Sequence, residues 1–291
     1  MNLHSRTIRV AARAAAFVLA AASPIAASTS AMAAGAAPAS AAPAVHALST
    51  IPSSLAGGPA HHLVSGAGRG VGTSTTSTNW DGYVALGTDF NAVSAAWVEP
   101  AVTCTSQQEY AGFWIGFDGW NNDSVEQGGS SAYCSGGHAT YDVWWEMYPY
   151  NDIQNSFAIK AGDSMTASVT YSTSTKDFTI AVKDLTSGQS MSKVTACHSD
   201  QGGCPRNSAE VISEDIGGGN DTDGLYYLPN YGTATYSGIS LTDTAGVTGT
   251  LSNSAWSNES INEVSSTGIT KQTTGALTSS GAGFTTTWVH V

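Results

Sequence analysis

Short segments in which apolar and polar residues alternate constrain the fold of this chain more than any other feature. From Met165 to Tyr171, and again from Phe178 to Val182, every second residue is apolar, and Ser172–Lys176 lies between them as a turn. A period of two gives a β-strand one buried face and one polar face. No long stretch has helical periodicity, and no βαβ pattern occurs. The sequence therefore predicts an all-β, antiparallel two-sheet β-sandwich.

The first 33 residues have the features of a secretory signal peptide. Three arginines precede the apolar run Ala14–Ala27, and Ala31–Ala33 supplies the small residues of a cleavage site. The run is too short to span a bilayer as a helix, and no later stretch is longer and equally apolar. We expect a secreted, extracellular protein without a membrane anchor.

Residues 34–75 are rich in Ala, Pro, Ser, Gly and Thr and contain almost no aromatic residue. Such a segment buries too little apolar surface to offset its ordering entropy, so it is predicted to be disordered. It is either a linker or a removable pro-segment. Residues 76–291 then form one β-sandwich domain, a size that a single sandwich often reaches.

Charge is distributed unevenly along the chain. Residues 1–70 hold four of the 10 basic groups and none of the 22 acidic ones, which leaves a net charge of −16 on the remainder at pH 7. Nucleic acid and anionic membranes are poor partners for such a surface. An acidic environment would neutralise part of this charge.

Four cysteines in an exported chain make disulfides plausible. Cys197 and Cys204 flank a short Gly-containing loop and are predicted to pair, and Cys104–Cys134 follows by elimination, although the sequence alone permits three connectivities. A metal site is the alternative, but the cysteine and histidine spacings match no zinc pattern. We expect no metal.

Two predicted strands each combine an apolar face with a face that carries carboxylates and a tryptophan. Trp114 and Asp118 share one face of the first strand, and Asp142, Trp144 and Glu146 share one face of the second. Carboxylates beside large aromatic rings are typical of a groove that binds an extended polymer, either peptide or sugar. The alternative is an ordinary exposed face with scattered aromatics.

Further candidate residues lie in two other segments. Glu210, Ile212 and Glu214 share one face of the strand predicted over Ala209–Asp215, where two carboxylates are more commonly plain surface charge. Gln127 precedes Gly128 and Gly129 and is predicted to lie in a loop. No His-Glu-x-x-His, Gly-x-Ser-x-Gly or pepsin-type Asp-Thr-Gly motif occurs, so carboxylates are the expected acid–base groups.

Several ordered motifs resemble the glutamic peptidases, also called eqolisins. They are Asn79–Tyr83 (NWDGY), Val93–Pro100, Phe113–Gly119, Gln127-Gly128, Tyr141–Pro149 (YDVWWEMYP), Ala209–Asp215 and Leu228–Gly232. The strand Tyr141–Pro149 is the most specific of them. The resemblance runs from about Asn79 to Tyr236. One departure is Val211, where the family usually has Trp.

The resemblance implies a concanavalin-like sandwich and endopeptidase activity at acid pH without metal or cofactor. It also implies that Gln127 and Glu214 form the catalytic dyad and that Trp114, Asp118, Asp142, Trp144 and Glu146 bind substrate around it. Glu214 rather than Glu210 is chosen from its place in the motif. The expected partners are protein or peptide substrates of a monomeric enzyme.

The chemistry suits these residue types. Near pH 4 a carboxyl group with a pKa of about 4 is partly ionised, so Glu214 can take a proton from water and later return it to the leaving amine. Gln127 does not titrate; it can hold the water and donate to the oxyanion.

Two other functions remain open. One is a glycoside hydrolase in which Glu214 works with Glu146, Glu210 or Asp142. The other is a non-catalytic carbohydrate-binding module that uses the aromatic face as its platform.

Overall fold

The computed structural model describes residues 63–64, 73–87, 89–198 and 202–290. The predicted signal peptide and most of the segment 34–75 lie outside these ranges. Within them the regular structure is a series of 17 strands, and no helix there is long and apolar enough to cross a membrane. The strands are β1 (Leu63–Val64), β2 (Thr73–Ser77), β3 (Trp80–Leu86), β4 (Phe90–Val98), β5 (Glu109–Phe117), β6 (Val125–Ser135), β7 (His138–Tyr148), β8 (Asn151–Ala158), β9 (Ser164–Tyr171), β10 (Asp177–Asp184), β11 (Ser190–Ala196), β12 (Ser208–Glu214), β13 (Thr233–Asp243), β14 (Thr248–Gly249), β15 (Ser257–Val264), β16 (Thr270–Thr274) and β17 (Phe284–Trp288).

The strands form two large sheets that are joined through the hairpin of β15 and β16. The first sheet has the order β1-β2-β15-β3-β12-β5-β6-β7-β8. The second has the order β16-β17-β13-β4-β9-β10-β11, and β14 pairs with β13. All these pairs are antiparallel except β2–β15. The predicted fold class is confirmed.

The main core lies between the two sheets. The inward residues of β9 and β10 belong to it, as the alternation predicted, and so do alternate residues of β5 and β7 from the first sheet. These core residues are Met165, Ala167, Val169, Phe178, Ile180, Val182, Ala111, Phe113, Ile115, Phe117, Val143 and Met147. The first sheet therefore turns the intervening residues of β5 and β7 to its other side, which we call the outer face.

Both predicted disulfides are present. Cys104–Cys134 ties the segment before β5 to β6, and Cys197–Cys204 closes the connection between β11 and β12. The first bond lies beside the strand that carries Gln127 and the second lies just before the strand that carries Glu214.

The sheet extends further toward the N-terminus than the sequence predicted. Strand β2 begins at Thr73 and pairs with β15, and β1 pairs with β2, so β1 and the first three residues of β2 fall within the segment expected to be disordered. The composition of residues 73–77 (TSTTS) explains the difference, because Thr suits a strand once a neighbouring edge is available. Thr75 and Ser77 are buried there.

Candidate active site

The register of four adjacent strands aligns the candidate residues in three rows on the outer face. These strands are β12, β5, β6 and β7. Row one contains Glu210, Gly116, Gln127 and Glu146; row two contains Ile212, Trp114, Gly129 and Trp144; row three contains Glu214, Gly112, Ser131 and Asp142. Directly opposed residues of an antiparallel pair point to the same side. The sheet thus brings Gln127, Glu214, Trp114, Asp142, Trp144 and Glu146 onto one face.

Two glycines allow these rows to form. A Cβ atom at Gly129 would lie 2.2 Å from the carbonyl oxygen of Phe113 and 2.6 Å from the Cβ atom of Trp114. A Cβ atom at Gly116 would lie 2.8 Å from the Cβ atom of Gln127. Only glycine fits at these two points. Each row therefore has one position without a side chain, which lies on β5 in rows one and three and on β6 in row two.

Gln127 lies inside strand β6 and not in a loop, so the sequence-based placement was wrong. The Gly-Gly pair that suggested a loop instead serves packing, since a Cβ atom at Gly128 would lie 2.6 Å from Ile180. The Gln127 side chain is 2 % exposed, and its Nε2 donates to Glu146 Oε2 at 2.5 Å. Its Oε1 has no partner among the described residues. The amide is therefore held from one end only.

Glu214 accepts hydrogen bonds from three N–H donors. Trp80 Nε1 and Asn79 Nδ2 each lie 3.0 Å from Oε1, and Trp114 Nε1 lies 2.7 Å from Oε2. Burial raises the pKa of Glu214 to about 8, while these donors lower it. The pKa thus lies above the expected value near 4, because the carboxyl group is buried away from water. The sequence did not show this burial.

Asn79 and Trp80 are candidate site residues that the sequence alone did not single out. They were recognised only as part of a family motif, although both side chains carry an N–H donor. Ser77 fixes this segment, since its Oγ donates to Asn79 Oδ1 at 3.1 Å and accepts from Trp80 N at 3.1 Å. The signal in the sequence that could have identified them is a pair of adjacent side chains that both donate hydrogen bonds, at the start of a strand.

Asp118 lies just beyond the strand whose face it was expected to share with Trp114. Strand β5 ends at Phe117, and Asp118 has a left-handed backbone with φ 68°. Its carboxylate accepts from Arg206 N at 2.7 Å, Asn207 N at 3.0 Å and Asn122 Nδ2 at 3.1 Å. Asp118 therefore anchors two loops, and its role in substrate binding stays a prediction.

Trp114 and Trp144 belong to a second apolar cluster on the outer face. The rings of Trp80 and Trp114 meet edge to face with centroids 5.0 Å apart, and Trp120 stacks on Trp80 at 6.5 Å. All of these rings are nearly or fully buried. Trp144 Nε1 has no partner among the described residues, so it remains a donor available to a ligand.

Glu210, the other candidate glutamate, stands in row one with only Gly116 between it and Gln127. Ideal strand spacing puts the Cα atoms of Gln127 and Glu210 roughly 10 Å apart, and those of Gln127 and Glu214 roughly 16 Å apart. Both carboxyl oxygens of Glu210 lack partners among the described residues, and burial raises its pKa well above the usual range. Glu210 is therefore nearer to Gln127, whereas Glu214 has the donors that stabilise a carboxylate.

One group of side chains in the described part of the chain is compact enough to hold a metal ion. It consists of Cys104, Glu109 and Cys134, and there the two sulfurs form a disulfide. Disulfide sulfurs are not thiolate ligands, so this group does not suit a metal.

Comparison with known proteins identifies relatives of one kind. The model of the peptidase A4 family matches residues 78–287. Scytalidopepsin B of Scytalidium lignicola is 35 % identical over 144 residues, which cover 49 % of this chain and 53 % of that protein. Aspergillopepsin-2 of Aspergillus niger is 28 % identical over 187 residues, which cover 57 % of this chain and 64 % of that protein. The matches thus span about half to two thirds of the length of these relatives.

Solved structures of glutamic peptidases also match this chain. Scytalido-glutamic peptidase with a peptide-based transition state analog matches with a TM-score of 0.61 and 26 % identity, over 73 % of this chain and 98 % of that one. Aspergilloglutamic peptidase from Aspergillus niger matches with a TM-score of 0.51 and 27 % identity, over 62 % of this chain and 99 % of that one.

Proposed function

The chain belongs to the peptidase A4 family, and from that premise we propose that it is an acid endopeptidase that hydrolyses peptide bonds with Gln127 and Glu214. One observation carries the proposal. Glu214 is held by three N–H donors on the same sheet face on which Glu146 orients the amide of Gln127. A carboxyl group and a fixed amide are what acid peptide hydrolysis without a metal requires.

In the proposed reaction, Glu214 takes one proton from a water molecule as the water oxygen attacks the peptide carbonyl carbon. The carbonyl oxygen becomes an oxyanion and accepts a hydrogen bond from Gln127. One hydrogen of the Gln127 amide is engaged with Glu146, and the second is left for this contact. The C–N bond then breaks, Glu214 returns its proton to the leaving nitrogen, and a carboxyl group and an amine are released.

The geometry around Glu214 supports its role as a base. A carboxylate has acceptors only, so three donors directed at one carboxyl group favour the ionised form. Burial acts in the opposite direction and raises the pKa to about 8. Hydrolysis in acid therefore requires that water and substrate reach the outer face, where solvation lowers the pKa of Glu214 again.

Gln127 and Glu214 stand two strands and four residues apart, in rows one and three. A peptide that crosses row two, over Trp114 and Gly129, would extend toward both residues. The proposed substrate is accordingly an extended peptide or protein segment, and relatives of known structure have been solved with a peptide-based analog and with the tripeptide Ala-Ile-His. We place the enzyme outside the cell, which the two disulfides support.

The test is a digest of casein at pH 3 to 5 by the purified protein without its N-terminal segment. Gln127→Ala should lower kcat by ~10²–10³ with little change in KM, because it removes an oxyanion donor. Glu214→Gln should abolish most activity, because it removes the base while keeping the shape. A parallel digest of a β-glucan tests the glycosidase alternative.

Glu210→Gln is the matched control, since Glu210 lies on the same strand and the same face as Glu214. It should keep most of the activity. Loss of activity in Glu210→Gln with retention in Glu214→Gln would transfer the base to Glu210, which is nearer to Gln127. Full activity of all three variants would refute the proposed peptidase site.

A further inference from the structure

Two hydroxyl groups of the outer face have no hydrogen-bond partner among the described residues. They are the phenol of Tyr110 on β5 and the Oγ of Ser131 on β6. Both side chains are 1 % exposed. A buried hydroxyl group without a partner destabilises the protein, so its retention calls for another explanation. Neither residue entered the sequence-based site.

Both hydroxyls lie on the Glu214 side of the site. Ser131 and Glu214 stand opposite Gly112, one on each side of it, and Gly112 has no side chain to separate them. A Cβ atom placed on Gly112 would lie 3.3 Å from Ile216 Cδ1, 3.6 Å from Trp114 Cδ1 and 3.9 Å from the Cβ atom of Glu214. The surface above Gly112 is thus apolar where Ile216 and Trp114 approach it, and it is flanked by Glu214 on one side and by Ser131 on the other.

Tyr110 lies on the same face of β5 as Gly112, two residues before it. Its ring packs against Tyr226 and Tyr133 with centroids 6.1 Å from each. Tyr110 and Ser131 are diagonal neighbours on this face, because Ser131 stands opposite Gly112, two residues further along β5. Burial raises the pKa of Tyr110, so the phenol keeps its proton at any pH at which the enzyme would work. It is a permanent O–H donor.

We propose that Tyr110 and Ser131 bind a carbonyl oxygen of the peptide next to the scissile bond, on the Glu214 side of the site. This inference rests on the proposed peptidase function and specifies how its substrate is held. A peptide carbonyl only accepts hydrogen bonds, and both hydroxyls can donate. A carboxylate, which Glu214 has to be when it acts as the base, only accepts and cannot make this contact. Because this carbonyl does not react, the contact strengthens ground-state and transition-state binding alike.

The kinetic consequence is a rise in KM at constant kcat. Tyr110→Phe and Ser131→Ala should each raise KM for a peptide substrate about five- to tenfold, as expected for loss of one neutral hydrogen bond. The pH dependence of kcat should not change, since neither group exchanges a proton. Ser131→Thr keeps the hydroxyl and should restore most of the affinity. In contrast, Gln127→Ala should lower kcat.

Tyr133→Phe is the matched control. Tyr133 lies opposite Tyr110 in the same ring cluster, but its hydroxyl accepts from Gln108 Nε2 at 3.0 Å. This variant should leave KM unchanged. Thermal unfolding separates binding from a structural role: Tyr110→Phe removes an unpartnered hydroxyl, so its Tm should stay the same or rise.

Unchanged KM in both Tyr110→Phe and Ser131→Ala, with activity still lost in Gln127→Ala, would overturn this inference and leave the proposed function standing. A fall in kcat at constant KM would also overturn it, because the hydroxyls would then act on the reacting atoms. If Ser131→Ala unfolds, Tyr110→Phe is titrated with a peptide whose scissile bond is reduced and cannot be cleaved. A Kd higher than that of the unaltered enzyme supports the inference, and an equal Kd overturns it.

Discussion

The side-chain amide of Gln127 donates to the carboxyl group of Glu146, which lies directly opposite it on the neighbouring strand. This bond fixes which end of the amide carries the donors, because a carboxylate accepts and does not donate. Gln127 therefore presents its unpartnered Oε1 and its second N–H hydrogen in a defined orientation. In the proposed reaction this orientation is the contribution of Glu146.

Glu146→Ala should lower kcat about tenfold, since the amide of Gln127 could then rotate and would hold the oxyanion for only part of the time. The loss should be smaller than that of Gln127→Ala. Steady-state kinetics on a peptide substrate measure both. The exposed Thr140 on the same strand provides the control Thr140→Ala, which should behave like the unaltered enzyme. Equal activity of Glu146→Ala and the unaltered enzyme would contradict an orienting role.

Trp114→Phe should shift the pH profile upward. The indole N–H of Trp114 donates to Glu214 at 2.7 Å and lowers the pKa of Glu214. Without that donor the pKa rises, so the limb of kcat/KM against pH that reports Glu214 should move to higher pH. Trp120→Phe is the control, because Trp120 stacks on Trp80 without donating to Glu214 in the structure. A profile that does not move would exclude Glu214 as the group that sets this limb.

Stability should fall as the pH rises from acid to neutral. Burial raises the pKa of Glu99 from 4.5 to about 8, although Ser130 and Trp97 donate to it. The folded state therefore binds the Glu99 proton more tightly than the unfolded state. The resulting loss of stability is absent below pH 4.5, grows between the two pKa values and is complete above about pH 8. It amounts to at most ~5 kcal/mol for this one group.

Glu99→Gln removes the titration and keeps an acceptor for Ser130. Urea unfolding at pH 4, 6 and 8 should show a flatter dependence of the unfolding free energy on pH in this variant. Asp123→Asn, at an exposed position, should retain the original dependence. A pH dependence as steep in Glu99→Gln as in the unaltered protein would show that Glu99 is not buried as described.

The mature enzyme should begin downstream of Ala34 and no later than Thr73. The segment 34–75 was predicted to be a linker or pro-segment, but β2 pairs with β15 over five residues, so Thr73–Ser77 belongs to the folded domain. We expect removal of the segment before Thr73 to accompany activity, because the candidate site residues are buried and the segment carries basic but no acidic groups. N-terminal sequencing of active secreted protein tests this, and a start at Ala34 would disprove it.

Alternation in the sequence was sufficient to predict the sandwich and the faces of β5 and β7, because a period of two depends only on the local backbone. Gln127 was misplaced because Gly128 and Gly129 resemble a turn, whereas the structure needs them for close contact with Ile180 and Phe113. Such contacts join residues far apart in the chain. The contacts of Asp118 could not be predicted for a related reason: its carboxylate accepts from Arg206 N and Asn207 N, which lie in a distant loop.

The pairing of Gln127 with Gly116 and Glu146 has a consequence for how such an enzyme can diversify. All the proposed reactive groups lie within strands, and a shift of one residue turns every following side chain to the opposite face. An insertion or deletion between Gln127 and Ser131 would point one of them into the core. Related enzymes that keep this chemistry can therefore differ in the residues of the rows or in the lengths of the turns outside these strands. They cannot differ in the number of residues between the reactive positions within a strand.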